Sequence, residues 1–374
     1  MMNSPTKYPT HFDLLHGRLE LPVYLPDATY GMVRAADAED LLACGIRALV
    51  MNTFHLMQKP GTSTIHALGG LHHMSGWHRP IFTDSGGFQA YSLIRQNPKF
   101  GTLGEKGLAF QPEGSDRKYQ LSPEKSVHLQ VAYGSDVVIC LDDCTHVDAS
   151  YEEQRLSVKR TVDWARRSRK EYDRLMEQKK LNGRDSPRIF GVIQGGGEKD
   201  LRKACAEALL EIGFDGFGFG GWPLDAQSNL LTDILGYTRE LVPAHLPMHA
   251  LGVGHPENVL ACYDLGYGIF DSAMPTRDAR HGRLYRFTGP ADGPHAGLTG
   301  KWMEYVYIGD ERHIRDSRPL QEGCDCPCCR QYSLGYLRHL FKMGDNLFPR
   351  LATLHNLFFM SDLMNRLLER AHGG

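Results

Sequence analysis

Seven short apolar runs recur along this chain, and most of its groups suited to chemistry directly follow the C-terminal end of such a run. The runs occupy residues 46–51, 80–83, 137–141, 189–193, 217–219, 250–254 and 268–270. The groups that follow five of them are Asp84, Asp142, Gln194, Gly220 with Gly221, and Asp271. Runs that are apolar on both faces are typical of parallel strands buried within a protein.

These runs alternate with segments that have the features of helices. Ser122 and Pro123 suit the N-cap and first turn of a helix, and Glu124 places an acid in that turn. The segments 151–180 and 198–212 are helical by their length and by the spacing of their apolar residues. Parallel strands need such crossover segments. We therefore predict an α/β protein, a (β/α)8 TIM barrel with insertions, whose strand C-termini carry the chemistry.

The composition limits the class of protein. With 41% apolar and 23% charged residues, the chain is typical of a globular protein. Its formal net charge of −2 excludes a globally basic nucleic-acid-binding protein but not a local basic patch. Residues 1–20 lack the apolar core of a signal peptide, and no run reaches the length of a membrane span. We therefore expect a cytoplasmic protein with no membrane partner.

Four of the nine cysteines are clustered in one short segment. Cys324, Cys326 and Cys329 precede His355, which lies among apolar residues at helical spacing. Three thiolates and one imidazole form a closed tetrahedral site for one structural zinc ion, with no position left for a catalytic water. In a reducing compartment, clustered cysteines favour metal over disulfides. An iron–sulfur site and a redox disulfide are the rival interpretations, and Cys328 is an alternative ligand to Cys329.

The strand–helix alternation ends near residue 286. A segment rich in Gly and Pro, 289–300, separates it from a region that does not show this alternation. We predict residues 1–300 to be the TIM-barrel catalytic domain. Residues 301–374 are predicted to form a zinc-binding subdomain with C-terminal helices packed on the barrel. The polar, glycine-rich segment 95–121 is interpreted as an inserted hairpin or lid.

Two carboxylates are the candidate catalytic groups. Asp271 follows an apolar strand and would be held rigidly and partly desolvated at the barrel mouth, which suits a nucleophile or general base. The alternative is an Asp that only caps the following segment. Asp84 precedes Gly86 and Gly87, and glycines let a ligand approach the backbone closely. A simple turn is the alternative there.

A further set of groups indicates the kind of ligand. Of the adjacent acids Asp142 and Asp143, Asp142 ends its run and is the better candidate for the pocket. Gln194 adds a side-chain amide, and Gly220 and Gly221 add backbone N–H donors. A planar ligand with donors and acceptors on its edge, such as a purine, would need this mixture. A magnesium site is less well supported, because no Asp-x-Asp cluster or phosphate-binding loop accompanies the acids.

Taken together, these motifs resemble the tRNA-guanine transglycosylases (queuine tRNA-ribosyltransferases) from about Gly31 to Leu368. The similarity rests on the Cys/Cys/Cys/His set and on segments 52–56, 83–89, 122–124, 252–254, 270–271 and 275–277. The resemblance implies a zinc-bearing TIM barrel that forms a homodimer. Such an enzyme exchanges guanine at the wobble position of a tRNA with a GUN anticodon for a 7-deazaguanine, either 7-aminomethyl-7-deazaguanine or queuine, in queuosine modification.

The resemblance also implies a role for each site residue. By motif, Asp271 is the nucleophile that attacks the ribose anomeric carbon, and Asp84 is the general acid/base. The residues implied to bind the base are Phe88, Asp142, Gln194 and Gly221. Arg277 and Arg280 would contact the tRNA loop. Displacement at an anomeric carbon by a carboxylate and then by a second nucleophile retains configuration, and bases of single-stranded loops leave their stack readily.

One segment departs from the family pattern. Where the family commonly has Leu-Ala-Val-Gly-Glu after the paired glycines, this chain has Trp222, Pro223, Leu224, Asp225 and Ala226. In the family that loop helps to bind the substituent at position 7 of the base. The Trp either reshapes the pocket so that queuine is used directly or narrows it in favour of the smaller base.

Two competing functions are compatible with the barrel. A non-catalytic tRNA-binding partner subunit of the same fold would tend to lack one of the catalytic carboxylates, whereas Asp271 and Asp84 are both present. A barrel glycoside hydrolase with an unrelated substrate would not need the cysteine cluster or the arginines that follow Asp271. An active transglycosylase is therefore the favoured hypothesis.

Overall fold

The computed structural model of the chain describes residues 8–111, 117–146, 148–289 and 298–372. Its strands, in chain order, are β1 (His11–Leu14), β2 (Gly17–Glu20), β3 (Val23–Pro26), β4 (Leu49–Asn52), β5 (Ile81–Asp84), β6 (Gly101–Gly104), β7 (Gly107–Phe110), β8 (Tyr119–Leu121), β9 (Val137–Ile139), β10 (Arg188–Ile193), β11 (Gly216–Phe219), β12 (Met248–Ala250), β13 (Ile269–Ser272), β14 (Arg283–Phe287) and β15 (Met303–Tyr307).

The helices of the described residues, in chain order, are α1 (Ala38–Ala43), α2 (Thr53–Leu56), α3 (Thr62–Ala67), α4 (Leu71–Ser75), α5 (Gly87–Gln96), α6 (Pro123–Tyr133), α7 (Tyr151–Lys179), α8 (Lys199–Ile212), α9 (Thr232–Glu240), α10 (Pro256–Asp264), α11 (Met274–Arg280), α12 (Pro327–Gln331), α13 (Leu334–Met343) and α14 (Leu347–His372). The predicted start of α6 is confirmed, because the Ser122 hydroxyl accepts a hydrogen bond from the Lys125 N–H. None of the described helices is both long and apolar enough to cross a membrane.

Eight parallel strands form a closed barrel in the order β3-β13-β12-β11-β10-β9-β5-β4. The two ends of this order meet at a parallel bridge between Asp27, just past β3, and Val50 of β4. At the same place the Ala28 N–H donates to the Val50 carbonyl at 2.7 Å. The predicted (β/α)8 barrel is confirmed. The strand missing from the sequence prediction is β3, a four-residue strand that Pro22 precedes and Pro26 ends.

One predicted strand is displaced along the chain. The run 250–254 was expected to be a strand, but β12 ends at Ala250 and the following residues form a turn. Gly252 adopts a left-handed φ of +75°, which a glycine adopts without steric cost. The turn points the Gly252 N–H at a carboxylate of the neighbouring strand, β13.

Two additional segments pack against the barrel. At the N-terminal end of the barrel, the β1–β2 hairpin packs its apolar side chains on the barrel interior, where Phe12 lies 5.7 Å from Phe190. After α5 the predicted insertion forms an antiparallel sheet in the order β6-β7-β8. Trp164 of α7 holds this sheet by donating from Nε1 to the Glu105 carbonyl at 2.8 Å.

The C-terminal region has a hydrophobic cluster of its own and is joined to the barrel by α14. This cluster contains residues of β14, β15, α12, α13 and the first part of α14. The buried Asn356 of α14 donates to the Pro275 carbonyl (3.0 Å) and accepts from the Tyr285 N–H (3.0 Å). The division of the chain at residue 300 stays a prediction.

Candidate active site

The barrel brings the predicted site residues together at the C-terminal end of its strands. Asp84 ends β5, and Asp271 lies in the second half of β13. Asp142, Gln194 and Gly221 lie in the loops after β9, β10 and β11, which are neighbours in the sheet. Because all these strands run in the same direction, residues far apart in sequence meet at one mouth.

Asp271 has one carboxylate oxygen fixed by hydrogen bonds. Its Oδ1 accepts from the Gly252 N–H at 2.9 Å and from Nε2–H of His249 at 2.8 Å. His249 is fully buried in β12, so its ring holds the carboxylate in one orientation. No described residue donates a hydrogen bond to Oδ2. The arrangement leaves Oδ2 as the oxygen suited to attack on an electrophilic carbon.

Asp84 is surrounded by hydrogen-bond donors. Its Oδ1 accepts from the backbone N–H groups of Thr53 at 3.0 Å and Gly86 at 3.1 Å. Its Oδ2 accepts from the side-chain amide of Asn52 at 2.5 Å and, more weakly, from that of Gln89 at 3.4 Å. These donors come from the ends of β4 and β5 and from α5, so the barrel itself orients the carboxyl group.

Opposing effects set the pKa of Asp84. Burial raises the pKa of Asp84 to about 7, and repulsion from the charges of Asp27 and Asp271 acts in the same direction. The hydrogen bonds from the backbone of Thr53 and Gly86 oppose this rise. A carboxyl group that titrates near neutral pH can give up and take back a proton during turnover.

Asp142 and Gln194 form a polar pair at the barrel mouth. Gln194 Nε2 donates to Asp142 Oδ2 at 2.7 Å. Burial raises the pKa of Asp142 to about 6. Gln194 is fully buried, and its Oε1 has no hydrogen-bond partner among the described residues. A buried acceptor without a partner is costly unless a ligand supplies the donor. The pair therefore presents acceptors to the N–H groups of a ligand.

The adjacent acid, Asp143, has a different role. It is buried, and its carboxylate is paired with Arg160 of α7. Its carbonyl accepts from the Ser157 hydroxyl at 2.5 Å. Asp143 therefore anchors the β9 loop to α7, which leaves Asp142 as the candidate for the pocket.

Two glycines after β11 allow this geometry. A Cβ atom on Gly220 would lie 2.6 Å from Nε2 of Gln194 and 2.7 Å from Cγ1 of Val192, so any side chain would displace the amide. Gly221 has a left-handed φ of +88°. Its backbone N–H is a donor that a ligand oxygen can accept from.

Arg202 is a positioning residue that the sequence interpretation did not identify. It is fully buried in α8 and lies over the ring of Phe219 at 4.0 Å. Its guanidinium donates to the carbonyls of Ile193 (2.8 Å), Gly196 (2.9 Å) and Gly220 (3.0 Å). Burial lowers the pKa of Arg202 to about 10, so the group remains charged at neutral pH. One cation thus ties together the loops after β10 and β11.

Aromatic rings stand at the outer edge of the Asp142–Gln194 pair. Phe88, in the first turn of α5, is 44% exposed, and Trp222 is 42% exposed. Their rings meet edge to face with centroids 5.9 Å apart, and His146 lies 5.8 Å from the Trp222 ring. Phe88 belongs to α5, His146 to the loop after β9 and Trp222 to the loop after β11.

A basic cluster lies beside Asp271. Arg277 is exposed on α11, and Arg280 is half-buried on the same helix. Burial, together with the nearby charges of Arg34 and Arg277, lowers the pKa of Arg280. Nη1 of Arg280 is buried without a hydrogen-bond partner among the described residues. These three cations can bind phosphate groups close to the candidate catalytic carboxylates.

The predicted metal ligands converge in the C-terminal region. The ligand atoms of Cys324, Cys326, Cys329 and His355 all lie within 4.8 Å of one another. Nδ1 of His355 lies 3.4 Å from the sulfur atoms of Cys326 and Cys329. Its Nε2–H donates to the Tyr285 carbonyl at 2.6 Å, which fixes the tautomer that presents Nδ1 to a metal. The donor set fits a tetrahedral ion such as zinc, and Cys328 lies outside it.

Comparison with known proteins agrees with this geometry. The family model described as "Queuine tRNA-ribosyltransferase" matches residues 10–372. The chain is 36% identical over 354 residues to a queuine tRNA-ribosyltransferase of Thermoanaerobacter sp. (strain X514), covering 95% of this chain and 87% of that one. It is 38% identical to those of Psychrobacter sp. (strain PRwf-1), with 95% and 87% coverage, and of Actinobacillus pleuropneumoniae serotype 3 (strain JL03), with 94% and 85% coverage. The chain belongs to the queuine tRNA-ribosyltransferase family.

Membership of the queuine tRNA-ribosyltransferases, which are transferases of the pentosyl class, confirms the family that the motifs predicted. The residues that the sequence interpretation missed are those that hold the site groups: His249 for Asp271, Asn52 for Asp84, and Arg202 for the pocket loops. A histidine within the short apolar strand β12 was a signal that pointed to His249.

Proposed function

We propose that this chain is an active tRNA-guanine transglycosylase that acts in queuosine modification. It exchanges guanine at the wobble position of tRNA with a GUN anticodon for a 7-deazaguanine. The observation that carries the proposal is the pairing, at one barrel mouth, of a rigid carboxylate with a free oxygen and a carboxyl group with a pKa of about 7. A non-catalytic partner subunit would not need both groups.

In the proposed reaction, Asp271 Oδ2 attacks C1′ of the ribose, and the bond between C1′ and N9 of guanine breaks. Asp84 gives a proton to the departing guanine, and a covalent ester joins Asp271 to the ribose. The incoming base then loses the proton on its ring nitrogen to Asp84 and attacks C1′, which releases the Asp271 carboxylate. Two displacements at one carbon retain its configuration, and Asp84 ends in its starting protonation state.

The polar pair provides recognition of the base. Asp142 and the free Oε1 of Gln194 accept from the N1–H and the exocyclic amino group of a guanine-like base. The N–H of Gly221 donates to its O6 oxygen. Phe88 stacks on the base. Adenine lacks the N1–H and O6 groups, so it would leave buried acceptors unpaired, and such unpaired groups give strong discrimination.

The basic cluster provides recognition of the tRNA. Arg277 and Arg280, with Arg34, contact phosphates of the anticodon loop, which places the ribose of the wobble nucleotide over Asp271. A target base in a single-stranded loop can be turned into a pocket at low cost. This local charge serves tRNA binding despite the net charge of −2.

The metal site is proposed to hold one structural zinc ion, with Cys324, Cys326, Cys329 and His355 as its ligands. The four protein ligands close the site, so the ion would contribute to folding and not to chemistry. We also propose a cytoplasmic homodimer. In support of the dimer, the rings of Tyr332, Tyr336 and His339 stack in a row that is half-buried at Tyr332 and exposed at the other two. Aromatic residues are common at protein interfaces.

The proposal is tested by incubating the protein with unmodified tRNA bearing a GUN anticodon and with labelled guanine. We expect label to enter the tRNA, and unlabelled 7-deazaguanine bases to compete. A tRNA whose wobble nucleotide is not guanosine serves as the control and should take up no label. Absence of incorporation, or incorporation that ignores the anticodon, would refute the proposed activity.

A further inference from the structure

Trp222 stands where the base-binding pocket opens to solvent, and its surroundings are rigid. The Leu231 N–H donates to the Pro223 carbonyl at 2.9 Å, and Leu224 pairs with Leu230, so the loop that follows Trp222 is closed on itself. On the other side, Gly221 and the Arg202 contact fix the chain. The indole is therefore held in place next to the pocket.

The order of groups around a guanine-like base indicates what faces Trp222. Along the rim of the base, the N1–H and amino edge is followed by O6 and then by position 7. Along the barrel, the loop after β9 carries Asp142, the loop after β10 begins at Gln194, and the loop after β11 carries Gly221 and then Trp222. Asp142 and Gln194 supply acceptors for the N1–H and amino edge, and Gly221 supplies the donor for O6. Position 7, the next group along the rim, therefore faces Trp222.

The rings around Trp222 leave little room. The centroids of Phe88 and Trp222 are 5.9 Å apart, and those of His146 and Trp222 are 5.8 Å apart. Rings at this spacing are in van der Waals contact. A bulky group at position 7 cannot pass between them unless the indole moves.

The carboxylates near Trp222 already have partners within the protein. Asp225 accepts from the backbone N–H groups of Gln227 (2.9 Å) and Asn229 (2.8 Å). Asp148 lies 3.2 Å from the His146 ring. The wall beside position 7 is thus shaped by aromatic surface.

We infer that Trp222 is a specificity-determining residue that limits the size of the 7-substituent of the base. The chain uses 7-deazaguanines with a small substituent and discriminates against a bulky one such as queuine. This inference rests on the proposed transglycosylase function. It assigns the narrowing role to Trp222, with Phe88 and His146 as the rings that hold it.

The first test compares kcat/KM for unsubstituted 7-deazaguanine with kcat/KM for queuine. We expect a ratio of at least a hundredfold in favour of the smaller base, and Trp222→Leu should reduce that ratio at least tenfold. Trp222→Phe keeps a ring and should stay closer to the wild-type ratio. Tyr307→Leu, a control at an exposed ring distant from the pocket, should not change it. A wild type that uses both bases equally, or an unchanged ratio in Trp222→Leu, overturns the inference.

The second test reads base contact directly and needs no turnover. Of the four tryptophans of the chain, all within the described ranges, Trp77, Trp164 and Trp302 are buried and Trp222 is exposed. Acrylamide quenching of tryptophan fluorescence therefore reports on Trp222. Saturating 7-deazaguanine should protect wild type from quenching and have no effect on the fluorescence of Trp222→Phe. Unchanged quenching of the wild type would place Trp222 outside the pocket.

The two proposals fail separately. Exchange of labelled guanine into tRNA does not depend on a 7-substituent, so its absence would refute the proposed function. If guanine exchange occurs and the ratio between bases does not respond to Trp222→Leu, only the assignment of Trp222 is wrong.

Discussion

The carboxyl group of Asp84 should make the protein less stable as the pH rises, and Asp84→Asn should remove that dependence. In the unfolded chain this carboxyl group titrates near its ordinary pKa of 3.8, whereas in the fold its pKa is raised to about 7. Below pH 3.8 both states are protonated. Between these values only the unfolded chain ionises, so stability falls, and the full cost is present above pH 7.

The size of the effect follows from the shift in pKa. A shift of three units corresponds to about 4 kcal/mol, and roughly two-thirds of it develops between pH 5 and pH 9. Asp84 is partly accessible to solvent, and water screens such charges, so we expect about 1.5 kcal/mol across this range. The Asn amide would also face the donors of Asn52 and Gln89. That clash costs about 1 kcal/mol at every pH.

The measurement is the free energy of unfolding by urea at several values between pH 5 and pH 9. Relative to wild type, Asp84→Asn should gain about 1.5 kcal/mol of stability between pH 5 and pH 9, most of it below pH 7. Asp225→Asn is the matched control, because hydrogen bonds from Asn229 and Gln227 lower the pKa of Asp225 and keep it ionised throughout. Parallel pH profiles for Asp84→Asn and wild type would refute the assignment of a raised pKa to Asp84.

Three further perturbations have defined outcomes. Cys326→Ser should remove the bound metal and lower the melting temperature. Cys328→Ser should retain one zinc ion per chain, measured by elemental analysis. Finding iron, or active protein without metal, would contradict the zinc assignment. Arg280→Ala should weaken tRNA binding and reduce the slope of log K against log salt by about one, and an unchanged slope would remove Arg280 from the interface. Arg202→Lys should destabilise the fold by about 2 kcal/mol and raise KM for the base, because buried carbonyls lose charged donors. An unchanged urea midpoint and an unchanged KM would contradict the positioning role of Arg202.

The sequence was sufficient to predict the barrel and the position of its chemistry, because both depend on a local pattern. Apolar runs that end in an acid or an amide are visible without tertiary information, and Asp84, Asp142 and Asp271 all lie where that pattern places them. The metal set is local as well, apart from His355 on α14. The structure decided between Cys328 and Cys329, because helix α12 directs only one of them towards His355.

Other features could not be predicted because they depend on contacts between distant segments. β3 is short and flanked by prolines. It is the first barrel strand in the sequence and pairs with β13, the last one. Arg202 has the appearance of a surface charge on an amphipathic helix until the loops after β10 and β11 fold around it. The sequence favoured Asp142 over Asp143 for the pocket, but it did not reveal that Asp143 pairs with Arg160 of α7.

The central claim is that Asp271 forms a covalent bond to the tRNA ribose, and the most direct test is to trap that bond. Protein and GUN-anticodon tRNA are mixed without free base, denatured, and separated on a denaturing gel. We predict a protein–tRNA adduct for wild type and none for Asp271→Asn, which should still bind tRNA within a few-fold of wild type because its phosphate contacts remain. An adduct formed by Asp271→Asn, or near-normal turnover by that variant, would contradict the account.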